Sequence, residues 1–455
     1  LKAVSARNAR ELSILILKKI ITRDGFANLA IDSFLAESNL SKAERSFATQ
    51  LVYGVMRHYN TLEWILACFT GNKIAKLKPI IKMILLTGIY QLIYLDKVPA
   101  SAACNEAATL ARKYGHQGVV AFVNGVLRNV ARQKDALPYP DAQEQTAAHI
   151  AIKYSHPEWL VARWLQRYGF AETVKLCLKN NEPPTIWLRC NTLKIKAGEL
   201  EQKLAAGGVT TSRSKFAPEG INIQGFDTIP RLPGYEEGLF QIQDESSMVV
   251  AHVVNPGPGT KIIDSCCGLG GKTTHLAQLM NDQGIIKAFD IYEHKLKLTA
   301  ENCTRLGITI VTTQLGDATM LPESLPDWAD YVLVDAPCSG TGVLGRRADA
   351  RWRKTPEQLT ELSKLQTSIL TAAARCVKPG GVLVYCTCSL EPEENQCVYE
   401  GFIAKNNDFM PENLVPLLPF AVSGEDRENA AKGYFQFLPQ RHGTDGFFVA
   451  RMKRI

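Results

Sequence analysis

The 455-residue chain has no CxxC pair among its 12 cysteines, so the usual spacings of a structural zinc site are missing. Its histidines, His275 and His294 among them, show no metal-ligand spacing either, and no metal is expected. No stretch reaches the roughly 18 uninterrupted apolar residues that a bilayer crossing needs. The most apolar run, Ile80 to Leu95, is broken by Lys82, Thr87, Gly88 and Gln91. The N-terminus lacks the basic, apolar and small-residue succession of a secretory signal. These absences predict a cytoplasmic chain with no membrane partner, whose cysteines are reduced thiols rather than a disulfide framework. What is present, 46% hydrophobic and 21% charged residues with 33 Gly and 22 Pro, describes a globular chain of two or three domains.

The net charge of +7 is unevenly spread. Residues 1 to 134 hold 19 Lys+Arg against 8 Asp+Glu, whereas the remainder is slightly acidic. Such asymmetry suggests a polyanion-binding module joined to something else, although a solvated basic helical surface gives the same count.

From Asn8 to Arg132 apolar residues recur at three and four: Leu12, Leu15, Leu17 and Ile20; Phe47, Leu51 and Val55; Ile81, Ile84 and Leu85; Phe122, Val126 and Leu127. Breaks fall at Gly25, Gly71, Pro99 and Gly115, and Ser41 with Glu44 forms a capping box. The pattern predicts a helical domain over 1–136, followed by a linker, Leu137 to Gln145. A small α/β unit is expected over 148–245, with helical stretches at Trp159 to Trp164 and Ala171 to Leu178 and strands at Ile186 to Arg189 and Leu239 to Gln243. Over 246–455 short apolar runs alternate with helical stretches. The runs are Lys261 to Ile263, Ile285 to Phe289, Ile308 to Thr312, Tyr331 to Val334 and Val382 to Tyr385. This is the grammar of a doubly wound, mostly parallel α/β sheet, whose ligands sit beyond the C-terminal strand ends.

The first of those strands runs into DSCCGLGGKTT, Asp264 to Thr274. A P-loop would need glycine at 266, which is cysteine, and a dinucleotide turn would need glycine at 273, which is threonine. DxCxGxG fits instead, an acid four residues before a GxG pair, as in methyltransferases that use S-adenosylmethionine. Asp290 closes the second strand, where a carboxylate can take both ribose hydroxyls, and Asp317 follows the third, where one can take the adenine amino group. Each acid alone could equally be a helix cap.

The fourth strand ends in DAPCSGTG, Asp335 to Gly342, and the fifth in YCTCSLEPEEN, Tyr385 to Asn395. Neighbouring turns would let Cys338 and Cys388 share one cavity with Asp335. Both lie in polar turns where a thiol is accessible and tunable, whereas Cys386 and Cys397 read as small core hydrophobes. A thiolate that adds to carbon 6 of a pyrimidine makes carbon 5 nucleophilic enough to take a methyl group. Exocyclic amine methylation typically shows an Asp or Asn before Pro-Pro and an aromatic residue, absent at Asp335.

These motifs, with QDESS at Gln243 to Ser247 and DGFFVAR at Asp445 to Arg451, resemble the Sun/Fmu/NOL family of RNA cytosine-5 methyltransferases. The N-terminal segments RNARELSILIL, LVYGVMRHY, GIYQLIYLDKVP and FVNGVLRNV are similar to the NusB-like RNA-binding domain of bacterial members that modify 16S ribosomal RNA. The resemblance implies a Rossmann-like methyltransferase domain, S-adenosylmethionine as cofactor, and small-subunit ribosomal RNA as the partner of a monomer. It implies Cys388 as nucleophile, Cys338 as the residue that helps break the adduct, and Asp335 between methyl donor and base. Cys266, Cys267, Gly268, Leu269, Gly270, Gly271 and Lys272, with Asp290, Asp317 and Asp335, would line the cofactor, and Lys272 is also within reach of the base. Relatives commonly read CAAPGGK here, and the missing proline predicts a less rigid turn. The loop GVLGRRADARWRK departs from the family at Gly345 and Ala348. Its Arg346, Arg347, Arg351, Trp352, Arg353 and Lys354 still suit phosphate contact and base stacking. The same chemistry on transfer RNA, or a non-catalytic NusB-like RNA-binding factor, are the alternatives.

Overall fold

A computed structural model describes residues 6–22, 26–323 and 325–455. The break expected at Gly25 lies outside these. The chain forms two compact units, Leu1–Glu182 with Leu344–Arg353, and Pro183–Val343 with Lys354–Ile455.

The first unit is helical. Its helices include Ala9–Thr22, Lys42–Arg57, Pro79–Tyr94, Ala100–Tyr114 and Gln117–Gln133, and Leu12, Leu17, Leu51, Val55, Ile84, Leu85, Val126 and Leu127 meet in one core. The predicted capping box is formed: the Glu44 N–H donates to Ser41 Oγ at 3.3 Å, and the Ser41 N–H donates to Glu44 Oε2 at 3.4 Å. Gly71 caps helix Tyr59–Thr70 at φ 54°, a conformation that suits a residue without Cβ.

Helix Glu158–Asn181, within the stretch read as a small α/β unit over 148–245, lies in the first of these two compact units. Ten residues from the far side of the sequence, Leu344–Arg353, belong there too, and Ala348 sits in the helical core.

The second unit holds two sheets. The smaller is antiparallel, with strands β1 (Ile186–Cys190), β2 (Thr210–Arg213), β3 (Gly220–Gln224) and β4 (Phe240–Ile242) in the order β2-β3-β1-β4. The larger contains β5 (Lys261–Asp264), β6 (Ile285–Asp290), β7 (Val311–Leu315), β8 (Ala329–Asp335), β9 (Val377–Thr387), β10 (Phe409–Pro411), β11 (Tyr434–Phe437) and β12 (Phe447–Arg454). Its order is β10-β12-β9-β8-β5-β6-β7, with β11 paired to β12. Strands β5 to β9 are parallel, and β12 runs antiparallel to β9. Ile262, Ile263, Val332, Leu333, Leu383 and Val384 are fully buried, as strands covered on both faces require. The chain leaves β5 through β6 and β7 on one side, then returns to lay β8 and β9 on the other. That reversal places a crevice at the C-terminal ends of β5 and β8, where open α/β sheets bind ligands.

Candidate active site

Asp264 closes β5 and is fully buried. Burial pushes its carboxyl up to about 7, against the bond that Thr273 Oγ1 donates to Oδ2 at 2.7 Å. Its Oδ1 has no partner. The chain then turns through Gly268 (φ 57°) and Gly270 (φ 78°) into helix Gly271–Leu279. A Cβ on Gly270 would come within 2.7 Å of Thr299 Cγ2, so glycine is required for space as well as for φ. At Gly268 and Gly271 an added Cβ would point into open space.

The turn is tied down without the family's proline. Thr299 Oγ1 donates to Gly268 O at 3.1 Å, Asn302 Nδ2 donates to Leu269 O at 3.1 Å, and the Gly268 N–H donates to Asp290 Oδ2 at 3.1 Å. The expected loss of rigidity is therefore offset by side chains from helix Glu293–Leu306 and by Asp290. From the small sheet, the buried Arg189 donates to Gly271 O at 2.5 Å and to Thr274 Oγ1 at 2.9 Å, and also bonds Gln243. That gives the QDESS element a place: its Gln243 helps to aim an arginine at the first turn of this helix. Arg189 carried no signal in the sequence beyond being a charge in a strand.

Cys266 and Cys267 face the same turn, but burial pushes the Cys266 thiol up to about 12 and raises Cys267 further, which leaves both as protonated lining groups. Leu269 is 54% exposed. Asp290 also accepts the Tyr292 N–H at 2.9 Å. Asp317 is exposed and takes the Thr319 N–H and hydroxyl on Oδ1, at 2.9 and 2.8 Å, which hold its carboxyl below the usual range. Its local partners are those of a cap.

Across the sheet reversal, Asp335 at the end of β8 receives the Lys272 ammonium at 2.6 Å. Burial opposes the charge on Lys272, but Asp335 first, then Cys386 and Cys388, hold it protonated and above the usual lysine range. The ammonium also lies 4.9 Å from the centre of the Phe447 ring. Cys386 is buried as expected and donates its thiol to Asp335 Oδ1 at 3.5 Å. Cys397, by contrast, is exposed: the core position read for it is corrected.

The turns after β8 and β9 bring Cys338 Sγ to 3.3 Å from Cys388 Sγ, both residues being half-buried. The thiol of Cys338 is raised well above its usual range, first by its hydrogen bond to Cys388 and then by burial. Either sulfur can be the donor in this contact, and the direction for Cys338 favours its neutral form. Beneath the pair lies a buried carboxylate, Glu394, which the sequence reading quoted only as a letter of its motif.

The loop expected to touch RNA is partly something else. Arg351 is fully buried, and its guanidinium donates to the carbonyls of Arg57, Ser155, Asn180 and Leu344 and to Asn181 Oδ1, at 2.8 to 3.4 Å. Trp352 Nε1 donates to Met56 O at 2.7 Å, and its ring packs on the helical core. Phosphate contact through Arg351 is corrected, because its guanidinium is buried inside the helical unit; Trp352 is half-buried. Arg346 is half-buried, and Arg347 is exposed.

In the second unit, Glu219 Oε1 lies 3.0 Å from His252 Nε2 and 2.7 Å from His275 Nε2, three groups whose ligand atoms fall within 4.8 Å of one another. Sequence spacing could not show this, because the three come from different elements.

Three family profiles match the chain: the NusB family over residues 7–132, the ferredoxin-like domain of RsmF/B-like methyltransferases over 156–229, and 16S rRNA methyltransferase RsmB/F over 251–453. The probable ribosomal RNA small subunit methyltransferase B of Synechocystis sp. is 40% identical over 451 residues, and that of Bacillus subtilis is 37% identical over 449; each alignment covers 98% of this chain and 99% of the relative. Ribosomal RNA small subunit methyltransferase B of Photorhabdus laumondii is 31% identical, covering 92% of both chains. Among solved structures, PH0851 superposes over the whole of both chains with a TM-score of 0.80 at 28% identity. NSun6 from Pyrococcus horikoshii, solved with SFG, matches 66% of this chain and 98% of its own, with a TM-score of 0.59 at 25% identity.

Proposed function

The chain belongs to the 16S rRNA methyltransferase RsmB/F family of S-adenosylmethionine-dependent RNA methyltransferases, and from that membership we propose that it methylates carbon 5 of a cytosine in small-subunit ribosomal RNA through a transient bond from Cys388 to carbon 6. The crevice at the ends of β5 and β8 suits the cofactor. Asp264 offers an orphaned buried oxygen, Gly268 and Gly271 leave room above the backbone, and Asp290 retains lone pairs for a ribose. Cys266, Cys267, Leu269, Gly270, Lys272 and Asp317 complete the proposed lining. S-adenosylmethionine, when bound, supplies the sulfonium methyl group; SFG, held by the Pyrococcus horikoshii NSun6, is an analogue of it.

The chain's own residues do the rest. The Cys388 thiolate forms the bond to carbon 6, and the π electrons of the 5,6 double bond move onto carbon 5, which becomes the nucleophile. When carbon 5 gives up its proton, the double bond re-forms and the sulfur leaves as thiolate. Cys338, protonated and 3.3 Å away, is placed to assist that departure. Asp335 bonds the cytosine edge, while Lys272 fixes the Asp335 carboxylate and, by its charge, favours a thiolate at position 388.

The observation that carries this reading is the meeting of two cysteine sulfurs 3.3 Å apart in one crevice with a lysine-held carboxylate. The basic helical part, read as 1–136, serves RNA binding, with the 148–245 part between it and the methyltransferase part, 246–455. No helix among the described residues is long and apolar enough to cross a membrane, and a cytoplasmic monomer acting on RNA fits the proposed substrate. The test is single-turnover release of tritium from carbon 5 of stripped small-subunit RNA. Wild type should release it stoichiometrically and Cys388→Ala not at all; release by Cys388→Ala would remove the nucleophile from this account.

A further inference from the structure

Glu394 is fully buried, and a carboxylate taken out of water costs several kcal/mol unless its lone pairs are satisfied. Four donors satisfy it. Oε1 accepts the Ser339 N–H at 2.7 Å and Gln366 Nε2 at 3.0 Å; Oε2 accepts the hydroxyls of Ser339 and Ser389, the latter at 2.5 Å. Ser339 follows Cys338, and Ser389 follows Cys388. One carboxylate therefore clasps two turns whose cysteines lie 50 residues apart in sequence, each at the residue next to the reactive sulfur.

The surrounding bonds extend the clasp. The two serine hydroxyls are 3.1 Å apart, Gln366 also donates to Pro337 O at 2.9 Å, and the Gly342 N–H donates to Cys388 O at 2.9 Å. Asn395 Nδ2 holds Ser389 O at 2.8 Å. A glutamine at 394 could not reproduce this pattern, because its NH2 would face a hydroxyl that now donates.

We propose that Glu394 is a positioning residue that sets the separation of the two cysteine-bearing turns, so that Cys388 rather than Cys338 is presented for attack. This rests on the reading of Cys388 as nucleophile. Replacement by Gln unlinks the turns without a change of volume, and a displacement of about 1 Å at a reacting atom costs on the order of 100-fold in rate.

The test uses the full chain. Glu394→Gln should lower kcat about 100-fold, with KM for RNA and affinity for S-adenosylhomocysteine within about threefold of wild type. Separately, without RNA, iodoacetamide labelling resolved by peptide mass spectrometry should favour Cys388 over Cys338 in wild type and lose most of that preference in Glu394→Gln. If Glu394→Gln does not fold, Ser339→Ala, which removes one hydroxyl from the clasp and leaves the carboxylate three donors, should shift the labelling ratio in the same direction by a smaller amount. An unchanged ratio in the folded variant, whether kcat is retained or falls together with the melting temperature, would overturn the proposal and leave Glu394 a packing residue. Cys388→Ala, run alongside, separates the cases: if it retains turnover, the nucleophile assignment fails; if it is inactive while Glu394→Gln behaves as wild type, only the positioning role fails.

Discussion

Replacing Cys338 by Ala removes a sulfur 3.3 Å from Cys388 Sγ, and its effects on the two halves of the reaction differ in size. Bond formation at carbon 6 loses one hydrogen bond to the attacking thiolate, about 1.5–3 kcal/mol, which is roughly ten- to a hundredfold in rate. Departure of the sulfur loses the group that assists it, and deletion of a positioned acid or base typically costs 10²–10⁴-fold, about 3–5 kcal/mol. The second loss outweighs the first by about 1.5–2 kcal/mol at matching ends of the two ranges, so the covalent complex should form and then persist. The fold should tolerate the change, since a partly exposed Cys→Ala costs on the order of 1 kcal/mol. The assay is a denaturing gel of labelled RNA incubated with S-adenosylmethionine and Cys338→Ala, with the linked peptide identified by mass. A retarded band should appear that is absent with Cys338→Ala/Cys388→Ala. If Cys338→Ala turns over within tenfold of wild type and leaves no retarded band, Cys338 takes no part in release.

Two further outcomes follow from burial. Arg351→Met should destabilise the helical unit by about 3–5 kcal/mol, because it strands four buried carbonyls and an amide oxygen, with little effect on the salt dependence of RNA binding. Arg347→Ala at the exposed position should leave stability alone and reduce the salt slope by about one if that side chain meets phosphate; urea melts and salt titrations of the two variants decide between these roles. His275, buried first and then opposed by Arg189, has its pKa lowered to about 4 despite Glu219 beside it, and His156 is lowered in the same direction by burial and Arg351. Both are neutral when folded and titrate near 6.5 when unfolded, so their stability is complete above about 6.5 and is lost as pH falls below it, for His275 towards 4. At pH 5 the loss for His275 is about 2 kcal/mol; urea midpoints at pH 7 and pH 5 should converge in His275→Gln, and an unchanged gap would contradict the assignment.

Much of this architecture is legible in residue order because periodicity and turn chemistry are local. The helical first third, the five parallel strands and the glycine turn all follow from them, with ends misplaced where apolar content and pairing diverge: the third strand lies at Val311–Leu315, beyond the run Ile308 to Thr312. The edge strands β10 and β11 escaped notice because they are short and owe their existence to β12. Long-range bonding is what sequence conceals. Arg351 reads as a surface cation, yet five acceptors compensate its burial; Glu394 sits in an EPEEN run that looks solvated, yet serines from two distant turns enclose it. The pairing of Cys338 with Cys388 was visible because neighbouring parallel strands must end side by side.

The detour of Leu344–Arg353 into the helical unit has a consequence for how the protein is made. That unit's first 182 residues leave the ribosome well before the ten that fill its interior, and at about 5–20 residues per second the wait is roughly ten to thirty seconds. During it, the carbonyls destined for Arg351 face solvent or whatever helper binds there. The amino-terminal part therefore finishes maturing only after about half of the methyl-transferring part has been synthesised.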